Sequence, residues 1–268
     1  MKKLLIVLIL FFSYTTYSQT AEEYYNSAYD KYQNKNYESA IADFTKAIKL
    51  NPSYVDAYNY RGNSKDNLKD HYGAIKDYNK AIKLDPDYVK AYINRGVAKH
   101  NLEDYEGAIN DYNKAIKVDP NFAGAYYNKG NIKILSKDYE GALADYNKGI
   151  KVDLNFAGAY YNKGNIKIQL KDYNGAIADF TKAIELDPNF ADAYLLRGNA
   201  RNVLDDHEGS IDDYTKAIEI NPDNALTYSL RGLAKHQFGA LVGACADWKI
   251  AVKMEDIISQ TLISTFCN

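Results

Sequence analysis

The chain has 268 residues, of which 46% are hydrophobic, and its 33 basic and 35 acidic residues leave a formal net charge of −2. This composition excludes an intrinsically disordered chain, a collagen-like fibre and a small disulfide-rich protein. It also excludes nucleic-acid binding by net basicity, because phosphate binding needs clustered cations, and we therefore expect no nucleic-acid partner.

The N-terminus has the pattern of a secretory signal peptide. Two lysines precede an unbroken apolar run, Leu4 to Phe12, and a polar stretch of small residues follows it. The run is much shorter than the roughly 20 residues that a membrane-spanning helix needs. We therefore predict a signal peptide over 1–18, cleaved before Gln19, and an exported protein that is periplasmic or secreted, with no membrane span after cleavage. Retention of the segment as an uncleaved anchor is the alternative.

From residue 21 onward, one 34-residue pattern is written seven times. With Ala21 counted as position 1, position 4 is always tyrosine, position 24 is always aromatic, and all five prolines occupy position 32. A C-terminal capping segment, 259–268, follows the last copy. The predicted repeats within 21–258 are 21–54, 55–88, 89–122, 123–156, 157–190, 191–224 and 225–258.

Each repeat is predicted to form two helices. Steps of three and four residues place the apolar positions of each half on one helical face. Proline at position 32 ends the second helix, because it lacks an N–H group and clashes with the preceding turn. Glycine at position 8 costs a helix about 0.5–1 kcal/mol relative to alanine. We therefore expect the two helices to approach closely there, with the alanine or serine of position 20 opposite the glycine.

This pattern of positions resembles the tetratricopeptide repeat (TPR) family. The resemblance covers 21–258 and implies an all-α fold, a TPR α-solenoid in which helix-turn-helix repeats stack into a right-handed superhelix, here with a C-terminal capping helix. It also implies a concave groove that is lined mainly by the first helices. The chain departs from the family at positions 7 and 11, where the family prefers leucine and tyrosine. Both positions carry cations here, with Ser27 as the exception.

An acidic ladder accompanies these cations, because position 23 is aspartate in every repeat. Cations at positions 7 and 11 are four residues apart and share a helical face. We predict that they pair with the aspartates between the two helices, since semi-buried ions are usually neutralised by a partner. The alternative is an anion-binding stripe for a polyanionic glycan or an acidic peptide.

The resemblance implies that positions 5, 6 and 9 face the groove, and asparagine is frequent at positions 6 and 9. An asparagine amide both donates and accepts, so it can pair with a peptide backbone without reading side chains. The alternative is a solvated polar face, or hydrogen bonds between neighbouring helices. The candidate ligand-binding asparagines are Asn63, Asn94, Asn128, Asn131, Asn162, Asn165 and Asn199.

Four tyrosines complete the candidate binding surface: Tyr25, Tyr29, Tyr127 and Tyr161. Rigid aromatic side chains at a groove are typical interface anchors. For the first two, the alternative is a capping role in which they cover the end of the stack. The segments 121–134 and 155–168 are identical, so two neighbouring repeats present the same surface twice.

The sequence contains none of the short motifs that mark a catalytic or metal site. We therefore expect a non-enzymatic scaffold that binds a protein or peptide in its groove, without a metal or a cofactor. A binder of a repeating carbohydrate polymer and a self-associating structural protein are the alternatives.

Cys245 and Cys267 are the only two cysteines. Export into an oxidising compartment permits a disulfide bond between them, and free buried thiols are the alternative. The tail that ends in Cys267 is predicted to form one amphipathic helix. Its apolar residues are Ile257, Ile258, Leu262, Ile263 and Phe266.

Overall fold

The computed structural model describes residues 19–267, and all regular secondary structure among them is α-helical. The predicted signal peptide, 1–18, lies outside the described residues. The helices are α1 (Ala21–Gln33), α2 (Tyr37–Leu50), α3 (Val55–Asn67), α4 (His71–Leu84), α5 (Val89–Asn101), α6 (Tyr105–Val118), α7 (Ala123–Leu135), α8 (Tyr139–Val152), α9 (Ala157–Gln169), α10 (Tyr173–Leu186), α11 (Ala191–Val203), α12 (His207–Ile220), α13 (Ala225–Gln237), α14 (Leu241–Lys253) and α15 (Ile257–Phe266).

The described residues divide into two compact bodies, 19–104 with α1–α5 and 105–267 with α6–α15. Within each body a helix packs mainly against the helices that precede and follow it in sequence. Odd-numbered helices up to α13 are the first helices of their repeats, and even-numbered helices are the second. The predicted tandem helix-turn-helix architecture is therefore confirmed for the described residues.

The two helices of a repeat run antiparallel, as the fourth repeat illustrates. Lys133, near the end of α7, donates to the carbonyl of Gly141, near the start of α8, over 3.2 Å. One turn earlier in α7, Lys129 lies 3.4 Å from Asp145, which is one turn later in α8. The short turn between the helices is stabilised by Asp138, whose carboxylate caps α8 by accepting from the Gly141 N–H group at 3.0 Å.

The turn between the two helices carries a left-handed backbone at position 15. Lys69, Lys137 and Lys171 have φ of 68°, 58° and 61° there, and Asp205 has φ of 62°. This conformation costs an L-residue about 1–2 kcal/mol, so glycine is the residue that adopts it most easily. In the described chain, glycine fills position 15 only in the last repeat, at Gly239 with φ of 88°.

The core of each repeat is built on the aromatic residue at position 24, whose ring lies against the glycine at position 8. A Cβ atom added to Gly130 would lie 2.7 Å from Cε1 of Tyr146, and one added to Gly164 would lie 2.6 Å from Cε1 of Phe180. The prediction that the small residue at position 20 lies opposite the glycine is therefore wrong. The glycine is needed because a flat ring packs directly on the backbone of the first helix.

The C-terminal helix α15 caps the second body, and a disulfide bond between Cys245 and Cys267 ties its end to α14, with Cα atoms 5.8 Å apart. The helix begins at Ile257, two residues before the predicted capping segment. The buried hydroxyl of Ser259 donates to the Ser229 hydroxyl at 3.0 Å, and the ring centroid of Phe266 lies 4.4 Å from that of His236.

The predicted apolar face of this helix is wrong at two residues. Ile257 and Ile258 are 82% and 62% exposed, whereas Leu262 and Ile263 are partly buried. The buried face follows Ser259 in steps of three and four, because the Ser259 hydroxyl is bonded to the neighbouring repeat. Ile257 falls on the opposite side of the helix, and Ile258 lies at the edge of the buried face, one turn before Leu262.

Among the described residues, no helix combines the length and the hydrophobicity that crossing a bilayer requires.

Candidate functional site

The charge ladder fixes the relative position of the two helices of each repeat. Asp213 is buried and accepts two hydrogen bonds from Arg197, at 3.0 and 2.7 Å, and a third from Arg201 at 2.9 Å. The predicted pairing of position 23 with the cations of the first helix is confirmed. Ion pairs of this kind are formed by Asp43, Asp77, Asp145, Asp179, Asp213 and Asp247.

The first repeat neutralises its buried aspartate without a cation at position 7. Asp43 there accepts from Ser27, Lys31 and Lys46. Although burial alone would raise the pKa of Asp43, these hydrogen bonds outweigh it and lower the pKa to about 2. The aspartate thus remains a carboxylate and keeps its partners occupied. Because aspartates engage the cations in the six repeats with these ion pairs, the cations there do not form a free stripe for an anionic ligand.

Three of the four asparagines of position 9 bond to the tyrosine of position 24 in the same repeat. The hydroxyl of Tyr146 donates to Oδ1 of Asn131 at 2.6 Å, and the hydroxyl of Tyr214 donates to Oδ1 of Asn199 at 2.8 Å. Burial raises the pKa of Tyr146 well above its usual value, so its hydroxyl stays protonated as a donor. This asparagine therefore satisfies the one polar atom of a buried aromatic side chain.

A second amide extends this bond to the next repeat. Nδ2 of Asn162 in α9 donates to Oδ1 of Asn131 in α7 at 2.9 Å, and it lies 3.3 Å from the hydroxyls of Tyr146 and Tyr127. Side chains of three helices, α7, α8 and α9, thus meet in one network. We call the partly buried surface formed by Asn128, Asn131 and Asn162 the amide face.

Within the described residues, four of the six amide C=O and NH2 groups of the amide face make no hydrogen bond to another side chain. Asn131 accepts through Oδ1 and Asn162 donates through Nδ2, which leaves a donor on the first and an acceptor on the second. Asn128 makes no hydrogen bond to another described side chain. A donor, an acceptor and a complete amide are therefore available to a ligand that carries both amide N–H and carbonyl groups.

Asn165 lies in the repeat whose position 24 is Phe180, which has no hydroxyl group. It neighbours Tyr161 instead: burial raises the pKa of the Tyr161 hydroxyl, and the Asn165 amide opposes part of that rise. Asn165 therefore belongs to the same helix face but not to the network of Asn131 and Asn162.

In the first body, two predicted asparagines lie beside a polar pocket of about 180 Å³, which Tyr32, Asp66 and Asn67 also line. Asn63 accepts from the Tyr78 hydroxyl at 2.8 Å, and Asn94 donates to Oδ1 of Asn59 at 3.0 Å. As in the amide face, the position-9 asparagine accepts from the tyrosine of position 24, but the bond to the neighbouring repeat runs from Asn94 to Asn59 and not to Asn63.

The predicted tyrosines are packed rather than presented as free anchors. Tyr25 lies 4.8 Å from Tyr54 and 5.7 Å from Phe44, between ring centroids, and Tyr29 lies 5.1 Å from Tyr60. This cluster favours the interpretation that the first helix covers the end of its body.

Tyr127 and Tyr161 pack in the same way against the aromatic residue at the end of their repeats. Their ring centroids lie 4.7 Å from those of Phe156 and Phe190, respectively. The Tyr127 hydroxyl still accepts a hydrogen bond from Asn162, so this tyrosine helps to hold the Asn162 side chain in the amide face.

The partners of the asparagines were missed at the sequence level, although a signal exists. Position 9 is asparagine in three of the repeats that carry tyrosine at position 24, at Asn63, Asn131 and Asn199.

The first body also contains a histidine–aspartate pair, in which His71 lies 2.6 Å from Asp66. Within residues 19–267, no group of three or more His, Cys, Asp or Glu is arranged to hold a metal ion.

Family models match most of the described chain. A model described as "Tetratricopeptide repeat" matches 89–122, 157–190 and 191–224, and a second model of the same description matches 111–144. A model described as "TPR repeat" matches 28–65 and 68–103. Together these segments cover more than half of the sequence. No curated protein matches the chain.

Solved TPR structures are similar to this chain. MamA is 29% identical with a TM-score of 0.58, over 62% of this chain and 91% of MamA. YrrB, described as "a TPR protein with an unusual peptide-binding site", is 25% identical with a TM-score of 0.54, over 69% of this chain and 95% of YrrB. The C-terminal part of a TPR repeat-containing protein from Cytophaga hutchinsonii is 22% identical with a TM-score of 0.70, over 88% of this chain and 98% of that one.

The helix pairs, their antiparallel packing and these matches agree with one another. The fold is an all-α TPR solenoid, and the chain belongs to the tetratricopeptide repeat family.

Proposed function

We propose that the protein is a non-enzymatic scaffold whose amide face binds an extended segment of a protein partner. The observation that carries this proposal is the hydrogen bond from Asn162 to Asn131, which links two repeats and leaves one donor and one acceptor unused. A peptide group has the complementary acceptor and donor. Binding through the backbone alone would tolerate different side chains in the partner.

The similarity to YrrB supports this proposal, since YrrB is described as having a peptide-binding site. Export to the periplasm or the exterior is also part of the proposal, and it is supported by the pattern of residues 1–18. The partner would then be met outside the cytoplasm.

A test needs variants that remove the unused groups without exposing the core. Asn128→Ala and Asn162→Ala are suitable, because Oδ1 of Asn131 still accepts from Tyr146 when Asn162 is absent. Asn131→Ala is unsuitable, because it would leave the buried Tyr146 hydroxyl without the acceptor of its hydrogen bond. Asn147→Ala is the matched control, since Asn147 is exposed on α8.

We expect peptides selected from a displayed library against the chain 19–268 to bind the double variant at least about tenfold more weakly than wild type. The Asn147 control should bind them as wild type does. Unchanged affinity in the double variant would contradict the proposal. Capture of a glycan polymer but of no peptide would favour the carbohydrate alternative, and association of the chain with itself in sedimentation experiments would favour the structural one.

A further inference from the structure

A second potential binding feature lies away from the amide face, between α6 and α7. It is a pocket of about 370 Å³ whose wall is mostly hydrocarbon. Ile109 and Tyr105 of α6 form one side, and Ile132 and Leu135 of α7 form the other, with Ser136 at the end of α7. Leu135 is 56% exposed, so apolar surface that the chain itself does not cover remains at this site.

The pocket exists at a place where the repeat pattern is broken. Ser136 occupies position 14, where four other repeats carry leucine: Leu68, Leu102, Leu170 and Leu204. Leu68, Leu170 and Leu204 are 39%, 51% and 41% exposed, respectively. The protein therefore covers about half of each of these side chains. The side chain of a serine in the same place has one carbon atom in place of four, and it leaves the space open.

The backbone is the same with either residue. Ser136 has φ and ψ of −88° and 3°, and Leu170 has −84° and 1°, each directly after the last residue of its helix. The Ser136 hydroxyl turns back to the Lys133 carbonyl at 3.0 Å and does not fill the pocket. The difference between the two repeats is therefore a shift of the leucine by one residue, because Leu135 and Ser136 stand where the fifth repeat has Gln169 and Leu170. Leu135 lines the pocket, and position 14 is left without its apolar side chain.

We propose that this pocket receives a leucine-sized aliphatic side chain from a protein partner. A leucine side chain is the expected occupant, because four other repeats of the chain carry their own leucine at the corresponding position. Glu106 and Asn110 lie beside the apolar wall and give it a polar edge with acceptors for the amide groups of a bound segment. The inference rests on the proposed function only in taking the partner to be a protein.

The test uses the full chain with isotope-labelled isoleucine and leucine methyl groups. The probe is N-acetyl-leucine N-methylamide, and N-acetyl-alanine N-methylamide is the control compound. We expect the leucine probe to shift the methyl signals of Ile109, Ile132 and Leu135 saturably. The alanine compound should bind at least about tenfold more weakly, because it buries three fewer carbon atoms.

One variant should close the pocket, and a second variant should create a copy of it in the next repeat. Ser136→Leu should abolish the shifts, and it should keep or raise the midpoint of thermal unfolding, because leucine has the required backbone at this position. Leu170→Ser should open the corresponding space between α8 and α9. The leucine probe should then shift the signals of Leu143 and Ile166, which occupy the positions of Ile109 and Ile132 in the next repeat.

The inference is overturned if the leucine probe shifts no methyl signal at the pocket, or if Ser136→Leu leaves the shifts unchanged. It is also overturned if these signals move with protein concentration alone, which would mean that a second copy occupies the pocket. The Asn128→Ala, Asn162→Ala variant separates this inference from the proposed function. If that variant still binds peptides while the leucine probe behaves as expected, the proposal that the amide face binds peptides is wrong. The proposal that the pocket binds a leucine side chain would then still be supported.

Discussion

The repeats at 123–190 and those at 191–258 hold their neighbours in different ways. In the sixth repeat, Arg197 is bidentate to Asp213 of its own repeat and also donates to Thr181 of the preceding repeat at 3.0 Å. Arg231 reaches Thr215 in the same manner at 3.1 Å. A guanidinium group thus joins two repeats while it neutralises a buried aspartate.

The fourth and fifth repeats carry lysine at the same position. Lys129 and Lys163 lie 3.4 Å from Asp145 and Asp179, and each is a point charge without the fork that the arginines use. In these repeats it is the amide of Asn162 that bridges to the neighbouring repeat. The comparison teaches that a neutral amide contact can join two repeats where the arginine bridge is missing, and here it does so at the partly buried groups of the amide face.

The largest expected effect comes from removing the acids of the two regions. Asp213→Ala should lower the free energy of unfolding by about 3–5 kcal/mol, because two partly buried arginines lose the carboxylate that neutralises them. Asp145→Ala should cost less, because Lys129 and Lys133 can extend their flexible stems into solvent. Urea denaturation measures both, and Asp223→Ala, at an exposed loop residue, is the control. Equal unfolding midpoints for wild type and both variants would mean that these charges are solvated.

An intermediate effect should distinguish two glycines of the fourth repeat. Gly130→Ala should lower the free energy of unfolding by about 1–3 kcal/mol, because its Cβ would lie 2.7 Å from the Tyr146 ring. Gly149→Ala should raise it by about 0.5–1 kcal/mol, because the nearest atom, the Ala123 carbonyl oxygen, is 3.4 Å away. Thermal unfolding of the two variants should therefore move in opposite directions. A shift of both in the same direction would contradict the packing described for position 8.

The smallest effect tests the bridge directly. Lys163→Arg should stabilise the chain by about 0.5 kcal/mol, since the new guanidinium could bond both oxygens of Asp179 and reach Asn147 of the preceding repeat. Lys151→Arg, at an exposed residue of α8, is the matched control. Hydrogen exchange at α8 and α9 would report the change locally. Equal stabilisation in both variants would show that arginine acts by its general properties and not by bridging.

The architecture was predictable because a repeat provides the same information many times. The tyrosine, glycine and proline positions predicted two helices in each copy, and the alternation of charge predicted the pairs that Asp145 and Asp213 form. The partner of the glycine at position 8 was not predictable in this way. Position 20 and position 24 lie on the same helical face, and only the packed structure shows that the Tyr146 ring reaches Gly130.

The candidate site was predictable in outline and not in detail. The asparagines could be placed on the first helices. The sequence does not say, however, that Asn131 uses its amide oxygen, and Asn162 its amide nitrogen, in hydrogen bonds inside the protein. That depends on side-chain conformations one or two repeats apart. The pocket at Ser136 was marked in the sequence by the loss of a recurring leucine, a signal that has meaning only when the neighbouring side chains are known.

The left-handed residues of position 15 bear on how the chain reaches its structure. Lys69, Lys137, Lys171 and Asp205 each adopt a conformation that an isolated hairpin would avoid, because the hairpin makes too few contacts to offset the cost. Packing against an adjacent hairpin supplies the missing contacts. Folding should therefore start where two hairpins first meet and spread outward from there, so that excised single hairpins remain unfolded while longer arrays fold cooperatively.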